Sequence, residues 1–116
     1  MRTPQFLIFR GSTPTLELAL PLVPAETDVI YLTLSQMDVP VLELARNGVA
    51  APAGTGSLDL SQEEPGLLLA SLTQQDTLRL KAGACRLQLR IRTGEGADTF
   101  LPVTGYVGEA QKEGEI

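Results

Sequence analysis

A chain of 116 residues, 43% of them hydrophobic and 20% charged, is long enough to bury one core and too short for two folded domains, and this composition excludes wholesale disorder. Nine basic against fourteen acidic residues leave a net charge of -5, a field that repels phosphate backbones and anionic lipid, so no nucleic-acid role is expected. With no His, no Trp and a single cysteine at Cys85, the chain cannot form an internal disulfide and cannot assemble most catalytic or metal-binding constellations.

The start, Met1 to Gln5, leads into a short apolar run from Phe6 to Phe9 that Arg10 ends, too brief for the core of a secretory signal, so no export is expected. Other apolar runs are also broken by Glu, Pro or Gly after a few residues, whereas a helical span needs about 20, so a soluble protein without membrane contact is expected. Arg10 to Thr15 reads as a turn.

From there most of the chain alternates with period two, the mark of strands with one face on a core. Between Thr15 and Leu22, Leu16, Leu18, Leu20 and Leu22 point one way, and Glu17 and Ala19 the other. Asp28 to Ser35 repeats the pattern, with Ile30, Leu32 and Leu34 opposite Tyr31, Thr33 and Ser35. Gln36, Met37 and Asp38, with Pro40, read as a turn, and Val41 to Arg46 as the return strand with Leu42 and Leu44 inward. Asn47-Gly48 supplies the left-handed conformation that ends it.

The segment from Val49 to Ser57 is small, Gly-rich and aperiodic, and reads as a surface loop. A short strand Leu58 to Leu60, a turn from Ser61 to Gly66 and a strand from Leu67 to Leu72 follow. A helix from Ser61 competes, but Pro65 and Gly66 inside it would cost roughly 3 kcal/mol or more. Thr73 and Asp76 stand at capping-box spacing ahead of Thr77 to Leu80, which predicts one helical turn. Cys85 to Arg92 alternates most clearly, Cys85, Leu87, Leu89 and Ile91 against Arg86, Gln88, Arg90 and Arg92. Gly94 to Gly96 closes a hairpin with a partner strand from Thr99 to Val107.

About seven short strands and one helical turn predict an all-β fold, an immunoglobulin- or fibronectin-like β-sandwich over residues 1–108 with a polar tail at 109–116; a small Greek-key barrel is the alternative. Leucine fills the interior, and only five residues are Phe or Tyr, so no ring-lined sugar groove is expected.

Arg86, Arg90 and Arg92 form the sharpest surface feature, a basic stripe suited to an anionic ligand or an acidic partner, with Arg79 and Lys81 placed to lie nearby. The plain alternative is a solvated face whose charges pair with neighbours such as Glu17 or Asp98. Cys85 lies on the inward face without a base, as inert packing. Glu63 and Glu64, and Glu109, Glu113 and Glu115 in the tail, match no dedicated calcium loop, so neither metal nor cofactor is expected.

Phe9 to Thr15, Ile30 to Gln36, Leu72 to Leu80 and the ending Val107 to Ile116 resemble, in order along the chain, small prophage-encoded proteins of Gram-positive gut bacteria. Those are found among tail and baseplate genes and are more distantly similar to the amino-terminal domain of siphophage upper baseplate proteins. The resemblance implies a non-enzymatic virion component, made in the host cytoplasm and assembled into a tail or baseplate by contacts with other tail proteins, homo-oligomers included. It carries no catalytic residues. A carbohydrate- or surface-binding sandwich module is the alternative reading.

Overall fold

The computed structural model describes residues 6 to 99 and 103 to 109, which form two β-sheets packed face to face. In chain order the elements are β1 (Leu7–Phe9), β2 (Thr15–Ala19), β3 (Val29–Gln36), β4 (Val39–Arg46), β5 (Ser57–Leu60), β6 (Leu67–Ser71), helix α1 (Gln74–Arg79), β7 (Gly83–Thr93), β8 (Gly96–Thr99) and β9 (Val103–Gly108). The larger sheet runs β1-β9-β7-β3-β4, with β8 also on β7, and the smaller runs β2-β6-β5. The chain crosses between sheets after β1, β2, β4 and β6, the connectivity of an immunoglobulin-like sandwich. Two separate sheets with free edges exclude the barrel alternative.

Alternation explains the core. Ile30, Leu32, Leu34, Leu42, Leu44, Leu87 and Ile91 from the larger sheet meet Leu58, Leu68 and Ala70 from the smaller, all at 5% exposure or less. Each such leucine removed from water contributes roughly 1.5–3 kcal/mol. Leucine packing here takes the place that a tryptophan and an inter-sheet disulfide hold in antibody domains.

Nine strands are present among the described residues, against the seven or so expected. The first surplus strand, β1, has only three residues and pairs in parallel with β9, almost a hundred positions away, so no local periodicity betrays it. The second arises because the partner of β7 is split: Arg90 pairs with Thr99 but Leu87 with Val103, a register displaced by one residue between β8 and β9. Smaller corrections concern boundaries. Strand β2 stops at Ala19, one residue before the Leu20 amide makes a last bond in the same register, to the Gly66 carbonyl. Pro40 lies inside β4 rather than in the turn, tolerated because β4 is an edge strand; the turn is Met37-Asp38, both at positive φ (53° and 62°). Met1 to Gln5 and the tail from residue 110, with Glu113 and Glu115, lie outside the described residues.

Candidate functional site

Strand β7 sits at the heart of the larger sheet, and its alternation aims Cys85, Leu87, Leu89 and Ile91 inward and Arg86, Arg90 and Arg92 outward, all three exposed. The predicted stripe is therefore present as one face. Arg86 lies across from Ser35 and Thr104, Arg90 from Tyr31 and Thr99, Arg92 from Val29 and Ala97. Tyr31, Glu43, Val49, Arg90, Arg92 and Ala97 border a shallow depression of about 370 Å³ on this face. The ring of Tyr31 lies so close over Gly48 that a Cβ there would collide with it, which is why glycine follows Asn47.

Among the described residues neither the Arg90 nor the Arg92 side chain has a hydrogen bond or an ion pair, and that of Arg86 has only a 3.6 Å contact with Asp38, both side chains more than half exposed. Such exposed pairs are worth little. Among the described residues the carboxylate beside the depression is Glu43, and it is already engaged: it accepts the Thr33 hydroxyl at 2.7 Å and the Ala51 amide at 3.2 Å. Of the partners expected for the arginines, Glu17 is placed elsewhere. Glu17 projects from the smaller sheet, on the opposite side of the sandwich, because β2 belongs to that sheet. The Asp98 side chain lies outside the described residues.

Arg79 does not join the stripe. Its guanidinium donates to the carbonyls of Ala53 at 2.7 Å and Val41 at 2.8 Å, so it straps the 49–56 loop to the edge of β4. Lys81 is held at the end of the sandwich, where its amide donates to Gln36 Oε1 and its carbonyl accepts from Gln36 Nε2. Arg46 donates to the Glu26 carbonyl, and Arg10 to the carbonyls of Leu78 and Leu80 and to Glu109. The guanidinium groups of Arg10, Arg46 and Arg79 thus order the backbone, and at Lys81 it is the Gln36 side chain that does so; the β7 arginines face solvent.

The groups with chemical potential are structural in their placement. Cys85 is 2% exposed, and burial pushes its thiol up to about 11, with no His in the chain to serve as its base. Asp76 is fully buried at the start of α1. Burial alone raises its pKa, but amides of Thr55, Thr73 and Gly56 and the Thr55 hydroxyl outweigh that and hold the carboxyl below its ordinary value. Capping spacing pointed to Asp76 as a cap; nothing local signalled that it also clamps the loop before β5. Among the described residues no cluster of His, Cys, Asp or Glu is placed to hold a metal ion, and no helix is long and apolar enough to cross a membrane.

The structure also shows a feature that periodicity missed. Leu7, Phe9 and Tyr106, at 53%, 50% and 46% exposure, lie together on the outer side of β1 and β9, the same face as the arginines. The apolar run at Phe6–Phe9 was the available signal, but its direction depends on the parallel pairing with β9. Comparison with protein-family models and with curated proteins finds no match to this chain.

Proposed function

We propose that the protein is a non-enzymatic structural component of a phage particle, held in a tail or baseplate by protein–protein contacts. The resemblance of Phe9–Thr15, Ile30–Gln36, Leu72–Leu80 and the ending from Val107, running in order along the chain, supports this reading. So does the placement of the reactive groups: the thiol is packed in the core, the buried carboxylate is saturated with hydrogen bonds, and the outer surface offers charge and sheet edges instead. The observation that carries it is the exposed arginine face of β7, on which, among the described residues, the Arg90 and Arg92 side chains have no partner and Arg86 has only the solvent-exposed contact with Asp38.

The test is to induce the prophage, purify intact particles and look for the protein by mass spectrometry. Presence at a fixed ratio to other tail proteins supports the reading. Absence from particles that retain other minor tail proteins overturns it.

A carbohydrate- or surface-binding module is the second reading, favoured by the exposure of Phe9 and Tyr106 on one face, since sugars stack on aromatic rings. Binding on a glycan array, lost in Tyr106→Ala, supports it, and an array with no binder retires it.

A further inference from the structure

Charge is unevenly divided between the two faces of the sandwich: on the larger sheet Glu43 is tied up by Thr33 and the Ala51 amide and Asp38 touches Arg86, while the arginines outnumber them. The outer side of the larger sheet carries Arg86, Arg90 and Arg92. The outer side of the smaller sheet carries Glu17 and Asp59, which flank Leu69 at the same register level, and Glu63 and Glu64 stand at its end. No Lys or Arg occurs between Arg10 and Arg46 or between Arg46 and Arg79, the two stretches that hold all three strands of the smaller sheet. Among the described residues none of these four carboxylates has an ion pair. Like charges kept together on a small domain repel one another, so each face carries a net field that a partner of opposite charge would neutralise.

The apolar groups match as well. On the smaller sheet, half-buried Leu67 and Leu69 turn outward into a depression of about 740 Å³ bordered by Glu17, Glu63 and Glu64. On the larger sheet, Tyr31 and Val49, the latter 86% exposed, sit beside Arg90 and Arg92. Each face has apolar side chains beside charged ones; arginines predominate on the larger sheet, where the one described carboxylate at the depression, Glu43, is already engaged, and carboxylates predominate on the smaller.

We infer that a second copy of this chain is the partner: the arginine face of one copy docks on the acidic face of the next, head to tail. Arg90 and Arg92 meet Glu17, Glu63 and Glu64, while Tyr31 and Val49 cover Leu67 and Leu69. Arginine suits this role because its guanidinium takes a carboxylate through two parallel hydrogen bonds. The two faces lie on opposite sides of the sandwich, so a dimer leaves one of each open, and successive copies form a ring or an open stack according to the rotation per step. The net charge of -5 opposes association at long range, but at about 0.1 M salt the Debye length is about 10 Å, which screens whole-molecule repulsion and spares pairs in contact. The inference deepens the assembly reading above, and rests on it for the place where such repeats are used.

The experiment is sedimentation velocity and small-angle scattering over a concentration series at 0.1 M and 1 M NaCl, with circular dichroism to verify folding. The wild type is expected to grow beyond a dimer with concentration at 0.1 M and to return to monomer at 1 M. R90E/R92E and E17K/E63K/E64K each stay monomeric alone, and an equimolar mixture of the two regains association, because each then offers what the other lacks. Where a multiple variant fails to fold, R92E and E64K carry the same test. A wild type that is monomeric at millimolar concentration in 0.1 M salt, a closed dimer indifferent to both sets of changes, or a mixture no more associated than its components would each overturn the inference. Detection in purified particles is a separate measurement, so a monomeric protein found in particles refutes only the stacking, and a stacking protein absent from particles refutes only the virion reading.

Discussion

The carboxylate of Asp76 accepts the backbone amide of Thr55 at 2.7 Å, joining the first turn of α1 to a loop 21 residues earlier. The same carboxylate closes the capping box: it accepts the Thr73 amide at 3.1 Å, while the Thr73 hydroxyl accepts the Asp76 amide at 3.2 Å. The hydroxyls of Thr55 and Thr73 are also hydrogen-bonded to each other. One buried charge thus orders both the entry to β5 and the crossover from β6 to β7.

Asp76→Asn should therefore destabilise the fold by about 2–3 kcal/mol, because the new amide would turn a donor toward backbone N–H groups that have no other acceptor. Urea unfolding gives the shift in midpoint. Because the folded carboxyl titrates below 3.8, the unfolded chain takes up the proton first, so this contribution is present above pH 3.8 and is lost as pH falls through the folded value. Stability measured between pH 5 and pH 2 should show a shallower acid slope in the variant than in the wild type.

Gly56→Ala tests the same junction sterically. A Cβ at Gly56 would overlap the Ser71 carbonyl and come within 2.9 Å of Asp76 Oδ2, and the backbone on both sides is fixed by β5–β6 pairing. A loss of about 1–3 kcal/mol is expected from overpacking, read by thermal or urea unfolding.

Cys85 should resist thiol reagents in the native protein at pH 8 and react in full once unfolded in urea, since burial both shields the thiol and pushes it up to about 11. The linkage has the opposite sign to that of Asp76. The unfolded thiol ionises near 9.0 and the folded one near 11, so the contribution is complete below pH 9 and declines as pH rises through that interval. Cys85→Ala should remove this alkaline decline.

Arg79→Ala should release the 49–56 loop from the β4 edge by deleting both donors that hold the carbonyls of Val41 and Ala53. The backbone pairing of Glu43 with Pro52 and Gly54 remains, so global stability is expected to fall by only about 1 kcal/mol. Limited proteolysis should cut within residues 49–56 several-fold faster, and a rate unchanged from wild type would count against the strap.

Much of this architecture was legible in the chain because a strand on a core must alternate. Ile30, Leu32 and Leu34, or Cys85, Leu87, Leu89 and Ile91, declare their inward face without any knowledge of the partner strand. The capping box at Thr73 was legible for the same reason: cap geometry is local and needs residues only three apart. That Arg86, Arg90 and Arg92 share one face also follows from period two.

Other features depend on long-range pairing. Strand β1 exists because three residues near the start find β9 near the end. Arg79 leaves the arginine stripe because the 49–56 loop folds back on β4, and Glu17 faces away from that stripe because β2 joins the other sheet. Alternation assigns each side chain to one of two sides of its own strand and says nothing about which strands become neighbours. Sheet pairing decided that, and by placing β7 and β2 in opposite layers it put the arginines of β7 and the carboxylate of Glu17 on opposite sides of the domain.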